Sequence, residues 1–344
     1  SLWKNKTAGI VNLFGLSVGM TAAVFIFLWV YNETHYNDYH RNSDHIYRIT
    51  NSLKVNNNET WVWESSPMLL GETAQKQVPE IQEISRVIIN TWGAPVLHIG
   101  HELFAEKTSA WVDKNWFSMF QYQFISGSAN SFSQNPFSLI LTQSKAKKYF
   151  GNSNVTGQVI KVDSVNYTIA GVVKDNPSNS SFQFDVMLQM GGRLSNTKTF
   201  NNDKTWNNFG YVTFLHLRQD ANIAAVTKKI NEVFNSSRKE NTAVSSIRSL
   251  KDIYLETDLQ SSEMPHGNRK VTYIFSVLGV LLLITACINY VNLTTAKASI
   301  RAKEVSIRKI IGAGRSSLFM QFIAESLFIS ICSLVLTIIL LQAL

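Results

Sequence analysis

Apolar residues are concentrated in three stretches of this 344-residue chain, one near the N-terminus and two near the C-terminus. The stretches are residues 10–31, 271–294 and 318–344, and the first two contain no charged side chain. At about 1.5 Å per residue, each is long enough as a helix to cross the roughly 30 Å hydrocarbon core of a bilayer. We therefore predict three membrane-spanning helices. A signal peptide is the alternative for the first stretch, but its apolar part is too long and no convincing cleavage site follows it.

Residues 32–270, between the first two stretches, are polar and rich in Asn, Ser and Thr. Alternating or short apolar runs predict strands at residues 47–55, 137–141, 158–162, 167–173 and 211–217. Capping residues and helical spacing predict helices at residues 67–78, 143–150 and 221–234. In the second helix, Thr142 is the predicted N-cap and Gly151 the predicted stop. The segment is therefore predicted as an α+β domain of two lobes, which divide near residues 190–206.

Basic residues flank the apolar stretches and account for much of the net charge of +8. Two lysines lie in residues 1–9, and the loop at residues 295–317 carries six basic residues against one acid, Glu304. Because Lys and Arg are retained on the cytoplasmic side, both segments are predicted to be cytoplasmic and residues 32–270 to lie outside. The predicted fold class is thus an α-helical transmembrane bundle, with three spans present and a large α+β extracytoplasmic domain between spans one and two. Since topology explains the charge, no nucleic-acid partner is predicted.

Small and charged residues in the apolar stretches predict helix packing. Gly15 and Gly19 form a G-x-x-x-G pair, a spacing at which two membrane helices approach closely. Glu325 is an acid within the third stretch. It is interpreted either as an interfacial carboxylate that reaches the lipid headgroups or as a buried polar contact between helices.

The chain carries no pattern that predicts a catalytic, cofactor or metal site. The phosphate-binding pattern G-x-x-x-x-G-K-[ST] is absent. Ser144 and Lys147 match the S-x-x-K pattern of penicillin-binding enzymes, but the partner patterns S-D-N and K-T-G are absent. His35, His40 and His45 are five residues apart, a spacing that does not align on one helix face. They are interpreted as solvated or core residues rather than metal ligands.

The loop after the second span combines apolar and basic residues as an amphipathic helix would, and Gly312 or Gly314 ends that helix. The apolar positions are Ile300, Val305, Ile307, Ile310 and Ile311. One interpretation is a helix that lies on the anionic lipid of the inner leaflet. The other is a surface that engages a cytoplasmic partner. The residues alone leave both open.

Residues 303–313 read K-E-V-S-I-R-K-I-I-G-A. They resemble the signature K-E-[IV]-G-[IV]-R-K-x-[LIV]-G-A of MacB/FtsX-type permeases, with Ser306 where the family usually has Gly. The resemblance extends along nearly the whole chain. Other similar motifs are L-W-K-N-K and N-L-F-G-L near the N-terminus, D-H-I-Y-R from Asp44, T-x-x-x-A-x-x-x-F-G from Thr142 and G-V-V-K-D from Gly171.

The resemblance implies an ABC-transporter permease of the bacterial inner membrane, of the kind found in Bacteroidota-type bacteria. Family members pair with a separate cytoplasmic ATPase that binds ATP and Mg²⁺, so the chain itself is expected to be non-catalytic and to hold no cofactor. The loop helix would be the coupling helix that docks on this ATPase. Its docking residues are expected to be Arg301, Lys303, Glu304, Val305, Ile307, Arg308, Lys309, Ile310, Gly312 and Ala313.

The resemblance also implies that ATP-driven movement of the membrane helices moves the periplasmic domain, and that substrates are handled outside the membrane. Family members act in lipoprotein release, export of peptides or drugs, and control of cell-wall hydrolases. Further expected partners are a second permease copy or half, membrane lipid, and a periplasmic adaptor or lipoprotein. Because members usually have four spans, a fourth span and a second copy of the unit are expected beyond this chain.

Two other classes share parts of this pattern. A sensory receptor also has a domain between two spans, but it would continue from the second span into a long signalling segment. This chain instead forms a short basic loop and a third apolar stretch. A membrane-anchored enzyme would need a nucleophile–base pair or a metal site, and the sequence predicts neither.

Overall fold

The computed structural model describes most of the chain. The described residues are 6–56, 59–90, 93–238, 243–260, 262–296, 302, 305–307, 309–311 and 314–343, without the side chains of 6–12, 56 and 293. They form two compact units. One comprises Ser1–Thr34 with Arg269–Leu344, and the other, here called the central domain, is His35–Asn268.

Within the described residues, three helices are long and apolar enough to cross a membrane, and each overlaps one of the predicted spans. The α-helices whose bounds the structure describes are α1 (Lys6–Thr34), α2 (Met68–Gln77), α3 (Trp116–Met119), α4 (Ala129–Gln134), α5 (Gln143–Phe150), α6 (Met190–Leu194), α7 (Thr197–Asp203), α8 (Ile223–Ser237), α9 (Arg269–Ala296) and α10 (Arg315–Ala343). The three long ones are α1, α9 and α10. Many of their large apolar side chains are exposed, as expected for surfaces that face lipid.

The strands of the central domain form one mixed sheet. They are β1 (Ile46–Asn56), β2 (Glu59–Trp63), β3 (Ile81–Ile89), β4 (Val96–Ile99), β5 (Glu102–Ala105), β6 (Ser109–Val112), β7 (Phe124–Gly127), β8 (Ser138–Thr142), β9 (Val159–Val162), β10 (Val165–Val173), β11 (Val186–Gln189), β12 (Val212–Leu217) and β13 (Ala243–Ser249). The main path runs β13-β1-β12-β3-β6-β11-β8-β10-β9-β4-β5, with β2 beside β1 and β7 beside β10. The pairs β8–β10 and β6–β11 are parallel, whereas the other pairs are antiparallel.

The central domain, His35–Asn268, forms one compact unit, and its predicted division into two lobes near residues 190–206 stays a prediction. The antiparallel pairs β12–β3 and β3–β6 carry the hydrogen bonding across the middle of the domain. Residues 190–203 form α6 and α7, which follow the buried strand β11 directly. A continuous ladder of backbone hydrogen bonds joins the strands before and after these helices.

The predicted helix over residues 221–234 is confirmed as α8, which begins after the N-cap Asn222. The Asn222 side chain accepts a hydrogen bond from the backbone N–H of Ala225 at 3.0 Å. Val226, Ile230 and Phe234 are buried in one cluster with side chains of α2 and the sheet. The helical spacing of these apolar residues predicts that one face of α8 packs against the sheet. The structure confirms this packing.

The predicted helix over residues 143–150 is confirmed as α5, and Gly151 ends it in a left-handed conformation (φ 74°). Thr142 stands at the N-cap, but its side chain does not cap the helix. Its hydroxyl donates instead to Asp185 at 3.1 Å. Asp175, which is distant in sequence, accepts from the backbone N–H of Ser144 at 2.9 Å. Sequence patterns identify local caps and could not reveal this remote one.

An aromatic cluster forms the centre of one hydrophobic core of the domain. Trp116 and Phe120 are buried with ring centroids 4.3 Å apart, and Phe182 contacts both rings. His40 packs against Phe120 and Phe182 and is itself buried. Its Nδ1 accepts a hydrogen bond from the backbone N–H of Gln121 at 3.1 Å. Burial lowers the pKa of His40 to about 3.

The neutral state of His40 predicts an acid-sensitive central domain. Below the ordinary pKa near 6.5, the unfolded chain binds a proton that the folded domain does not bind. Stability is therefore complete above pH 6.5 and falls as the pH drops towards 3. We expect a loss of about 2 kcal/mol between pH 6.5 and 4.5, because each pH unit well below 6.5 costs about 1.4 kcal/mol and the first unit costs less. Urea unfolding followed by tryptophan fluorescence measures this dependence.

The matched variants are His40→Asn and His101→Asn. Asn at position 40 keeps an acceptor for the Gln121 N–H and removes the titrating ring, so this variant should lose most of the slope between pH 6.5 and 4.5. His101 is exposed, and its variant should keep the slope of the native chain. Equal slopes in the native chain and the His40→Asn variant would contradict the assignment to His40.

Candidate coupling loop and helix interface

The loop between α9 and α10 is described only in part. Val305 is half-buried, and Ile307, Lys309 and Ile310 are exposed. The backbone N–H of Ile311 donates to the Ile307 carbonyl at 3.2 Å, which is a helical hydrogen bond. The side chains of Ile310 and Ile311 are 85% and 80% exposed, so this turn presents apolar surface to its surroundings. Six predicted docking residues lie outside the described residues: Arg301, Lys303, Glu304, Arg308, Gly312 and Ala313.

The G-x-x-x-G pair of α1 lies against α9. A Cβ placed on Gly19 would be 2.6 Å from the Ala286 Cβ, and one placed on Gly15 would be 3.1 Å from the Asn289 side-chain nitrogen. A Cβ on Gly279 would be 3.1 to 3.2 Å from the side chains of Ile26 and Phe27. Residue numbers rise along α1 as they fall along α9, so the two helices are antiparallel. Small residues on both helices therefore permit close backbone contact.

Polar residues of α1 also contact α10. Ser17 and Thr21 are buried, and their hydroxyls donate to carbonyls one turn earlier in α1. The Thr337 hydroxyl donates to the Ser17 carbonyl at 3.2 Å, which joins α10 to α1. Glu325 is half-buried on α10. Both interpretations of the Glu325 carboxylate stay open. The polar contact between α1 and α10 described above is formed by Ser17 and Thr337.

The residues that follow α1 belong to the central domain and are bonded to it. The ring of Tyr36 is stacked on that of Tyr254, with centroids 3.4 Å apart and planes 7° apart. The Asn37 side chain donates to the Ser181 hydroxyl at 2.9 Å and to the Leu250 carbonyl at 3.1 Å. The residues that directly follow α1 are therefore tied to the domain.

Residues 256–268, here called the strap, connect the central domain to α9. Strap residue Glu256 contacts the buried guanidinium of Arg48, which also donates to Glu64 at 2.8 Å. Ser262 donates to Glu64 at 2.7 Å, and the backbone N–H of Glu263 donates to the same carboxylate at 2.8 Å. Burial opposes ionisation of Glu64, but hydrogen bonding and the charge of Arg48 hold its pKa below the usual range. A buried ion-pair network thus fastens the strap to β1.

Sequence reasoning missed Arg48 as a structural centre. The residue belongs to the D-H-I-Y-R motif and lies on β1 between Ile46 and Thr50, all three on one face and all buried. When a charged residue shares one face of a strand with two buried neighbours, its charge is buried as well and needs an ion-pair partner. This pattern could have identified Arg48. Its partners, Glu64 and Glu256, come from distant segments and could not be identified from spacing.

A second ionic cluster surrounds Glu106. Lys145 donates to both of its carboxylate oxygens, at 2.8 and 2.9 Å, and Thr108 donates at 2.6 Å. Burial by itself raises the pKa of Glu106, but these hydrogen bonds, with one from Tyr149, lower it to about 2. The Ser144 hydroxyl, part of the S-x-x-K match, donates to Asp175 instead of a lysine. The arrangement is an ion-pair network that holds α5, and it contains no nucleophile paired with a base.

Among the described residues, no group of three or more His, Cys, Asp or Glu side chains could hold a metal ion. The two cysteines, Cys287 and Cys332, are free thiols on α9 and α10.

Comparison with known families identifies the chain. The sequence profile described as MacB-like periplasmic core domain matches residues 10–233, which is more than half of the chain. The profile described as FtsX-like permease C-terminal matches residues 276–344. The chain belongs to the MacB/FtsX family of ABC-transporter permeases. The resemblance read from the motifs is thereby confirmed, and the receptor alternative is not favoured.

Curated relatives of this permease are longer than the chain. The macrolide export ATP-binding/permease protein MacB of Bdellovibrio bacteriovorus is 23% identical over 187 residues, which cover 54% of this chain and 28% of the relative. The protein of the same name from Aggregatibacter actinomycetemcomitans is 24% identical over 256 residues, which cover 72% and 36%. YknZ, an uncharacterised ABC-transporter permease of Bacillus subtilis, is 24% identical over 197 residues, which cover 56% and 45%. The chain thus spans less than half the length of each.

A solved structure supports the fold of the permease. A domain of a permease protein from Porphyromonas gingivalis superposes with a TM-score of 0.53 at 15% identity. The superposition covers 69% of this chain and 98% of that one. The α+β central domain is therefore a fold already known in a permease.

Proposed function

We propose that this permease couples ATP hydrolysis by a separate cytoplasmic ATPase to movement of its central domain. The observation that carries the proposal is the exposed apolar turn of Ile307, Ile310 and Ile311 beside Lys309, within a stretch that fits the family signature. Exposed isoleucines flanked by basic residues suit a docking surface on another protein. The chain itself would be non-catalytic, with ATP and Mg²⁺ bound by the partner.

The contacts within each unit support transmission of movement. Gly15 and Gly19 allow α1 and α9 to pack closely, so the two helices would move together. Both helices continue directly into the central domain, through residues 35–42 after α1 and through the strap before α9. The Tyr36–Tyr254 stack and the Arg48 ion pairs tie these two segments to the domain. Movement of the helices would therefore be passed on rather than absorbed by loose linkers.

The proposed topology has residues 1–9 and 295–317 in the cytoplasm and the central domain in the periplasm. The basic residues of the loop support this orientation. The cargo would be a peptide, drug or lipoprotein handled at the periplasmic domain. A second permease copy or half would complete the membrane part, and a periplasmic adaptor or lipoprotein would contact the central domain.

Arg308→Glu tests the docking role of the loop. A reversed charge at a protein interface costs several kcal/mol when it meets a like charge, so we expect the permease-dependent ATPase rate to fall at least about tenfold. Membrane insertion should be unchanged. The measurement is ATP hydrolysis by the partner with and without the reconstituted permease.

Arg315→Glu is the control, since Arg315 lies at the start of α10 and outside residues 303–313. This variant makes the same charge change and should keep most of the coupled rate. An unchanged coupled rate in Arg308→Glu would count against docking through this loop.

A further inference from the structure

A cavity of about 250 Å³ lies between the segment that follows β2 and the start of β12. Three of its lining residues form an apolar floor. Val87 is opposite Val212 in the β3–β12 pairing, and Ile89 follows Val87 two positions later, so all three side chains lie on one face of the sheet. The aromatic side chains of Trp63 and Phe209 also line the cavity, with ring centroids 5.6 Å apart and planes at 78°.

The size of the cavity limits what it can hold. An apolar cavity of about 150 Å³ accommodates a benzene molecule. At about 250 Å³, this cavity has room for one aromatic ring or one branched aliphatic group together with a short polar substituent. The ligand is therefore a small molecule.

The acidic side chains at the cavity are already engaged. Glu64 is buried, and the guanidinium of Arg48 donates to its carboxylate. The Ser262 hydroxyl and the backbone N–H of Glu263 donate to the same carboxylate. The side chain of Glu263 also lines the cavity, and this residue is not free either. Among the described residues that line the cavity none is basic, so a charged ligand of either sign would lose its hydration without gaining a partner.

One hydroxyl at the cavity remains for a ligand. Ser65 lines the cavity and is half-buried. Its carbonyl accepts a hydrogen bond from the Asn51 side chain at 2.8 Å, but its hydroxyl bonds to no other residue in the described part of the chain. Because a hydroxyl both donates and accepts hydrogen bonds, it pairs well with the hydroxyl of a neutral ligand.

We infer that this cavity binds a small neutral alcohol carried by an aromatic ring or a branched aliphatic group. The apolar group occupies the floor of the cavity, and the ligand hydroxyl is hydrogen-bonded to Ser65. Binding does not depend on the ATPase partner, so this inference stands or falls separately from the proposed function.

Hydrogen exchange of the full chain in nanodiscs tests the inference with three probes of similar size: benzyl alcohol, benzylamine and benzoate. At pH 7 these are a neutral molecule, a cation and an anion. At equal concentration, benzyl alcohol should slow exchange in residues 62–66 and 209–213 at least about fivefold more than either ion, because protection scales with 1 + [L]/Kd. Equal protection by benzyl alcohol and either ion, or none by any probe, would overturn the inference.

Ser65→Ala tests the hydrogen bond to the ligand. Loss of one hydrogen bond should weaken binding of benzyl alcohol about fivefold. Ser164→Ala, an exposed control in the turn between β9 and β10, should leave binding unchanged. Protection by benzyl alcohol that is undiminished in Ser65→Ala would refute the site.

Ile89→Trp separates binding in the cavity from entry of the probe into lipid. The larger side chain fills the floor and should abolish protection by benzyl alcohol, although the probe still partitions into the nanodisc. Exchange in β8 and β10 reports whether the variant is folded, and Ser65→Ala decides if it is not. Native protection in a folded Ile89→Trp variant would place the probe elsewhere and overturn the inference.

Discussion

Replacing Arg48 with Met will lower the stability of the central domain by about 3–5 kcal/mol, the usual cost of leaving buried charges without their partner. The guanidinium is fully buried and joins Glu64 of the segment after β2 to Glu256 of the strap. Met preserves much of the side-chain volume of Arg. The loss of stability is therefore caused by removal of the charge and not by a new cavity. Both carboxylates would remain nearly inaccessible to water and would have to ionise unpaired or bind protons. Urea unfolding at neutral pH measures the effect.

Two comparisons separate the ion pair from general damage. Arg248→Met removes a half-exposed guanidinium 3.3 Å from Glu256 and should cost less than about 1 kcal/mol. Adding Glu64→Gln and Glu256→Gln to Arg48→Met removes the stranded charges and should restore a large part of the stability. A loss in Arg48→Met no greater than in Arg248→Met would show that Arg48 does not anchor the strap.

Replacing Gly19 with Leu will separate α1 from α9. Even the first side-chain atom would lie 2.6 Å from the Ala286 Cβ, and the rest of the Leu side chain has no space in this contact. Overpacking of this kind costs about 1–3 kcal/mol or more and is relieved by moving the helices apart. Cysteine crosslinking reports the separation. Trp29→Cys and Phe275→Cys are joined through a short bifunctional thiol reagent, because these two side chains meet across the α1–α9 contact with ring centroids 5.0 Å apart. Cys287 and Cys332 are replaced by Ser.

The same contact offers a rescue. Gly19→Ala should weaken crosslinking moderately, and Ala286→Gly in the same chain should restore it, because the lost methyl group makes room for the new one. Val18→Leu, at a neighbouring exposed position, should have no effect. Native crosslinking in Gly19→Leu would contradict the packing of Gly19 on Ala286.

Sequence patterns predicted the elements with strong periodicity or clear local signals. The long apolar helices, α8 and the hairpin of β9 and β10 are examples, since each depends on residues close together in the chain. The strands β3, β6 and β11 were not predicted. Burial of all four residues of β11 removes the alternation that identifies a strand. The single sheet depends on pairings such as that of β1 with β13, whose residues lie almost two hundred positions apart in the chain. Such pairings leave no local pattern in the sequence, so the sheet could not be predicted from it.

The candidate site was predictable only where the chemistry is local. The G-x-x-x-G pair at Gly15 and Gly19 indicated a small-residue contact but not its partner, because Ala286 is distant in sequence. Residues 303–313 were recognised through their resemblance to the family signature, and their coupling role stays a prediction. Spacing could not reveal the buried network of Arg48, since long-range ion pairs are formed by tertiary folding, and hydropathy places an arginine at the surface.

Docking of an ATPase on the loop is the central claim, and co-purification tests it most directly. The tagged permease would be isolated from its native membrane in gentle detergent, with the native loop and with the charges of residues 303–309 reversed. The account predicts an ATPase that co-purifies with the native loop and is lost with the reversed one. An ATPase retained equally by both loops, or absent from both, would contradict docking through the loop and leave the basic helix as an element of the membrane surface.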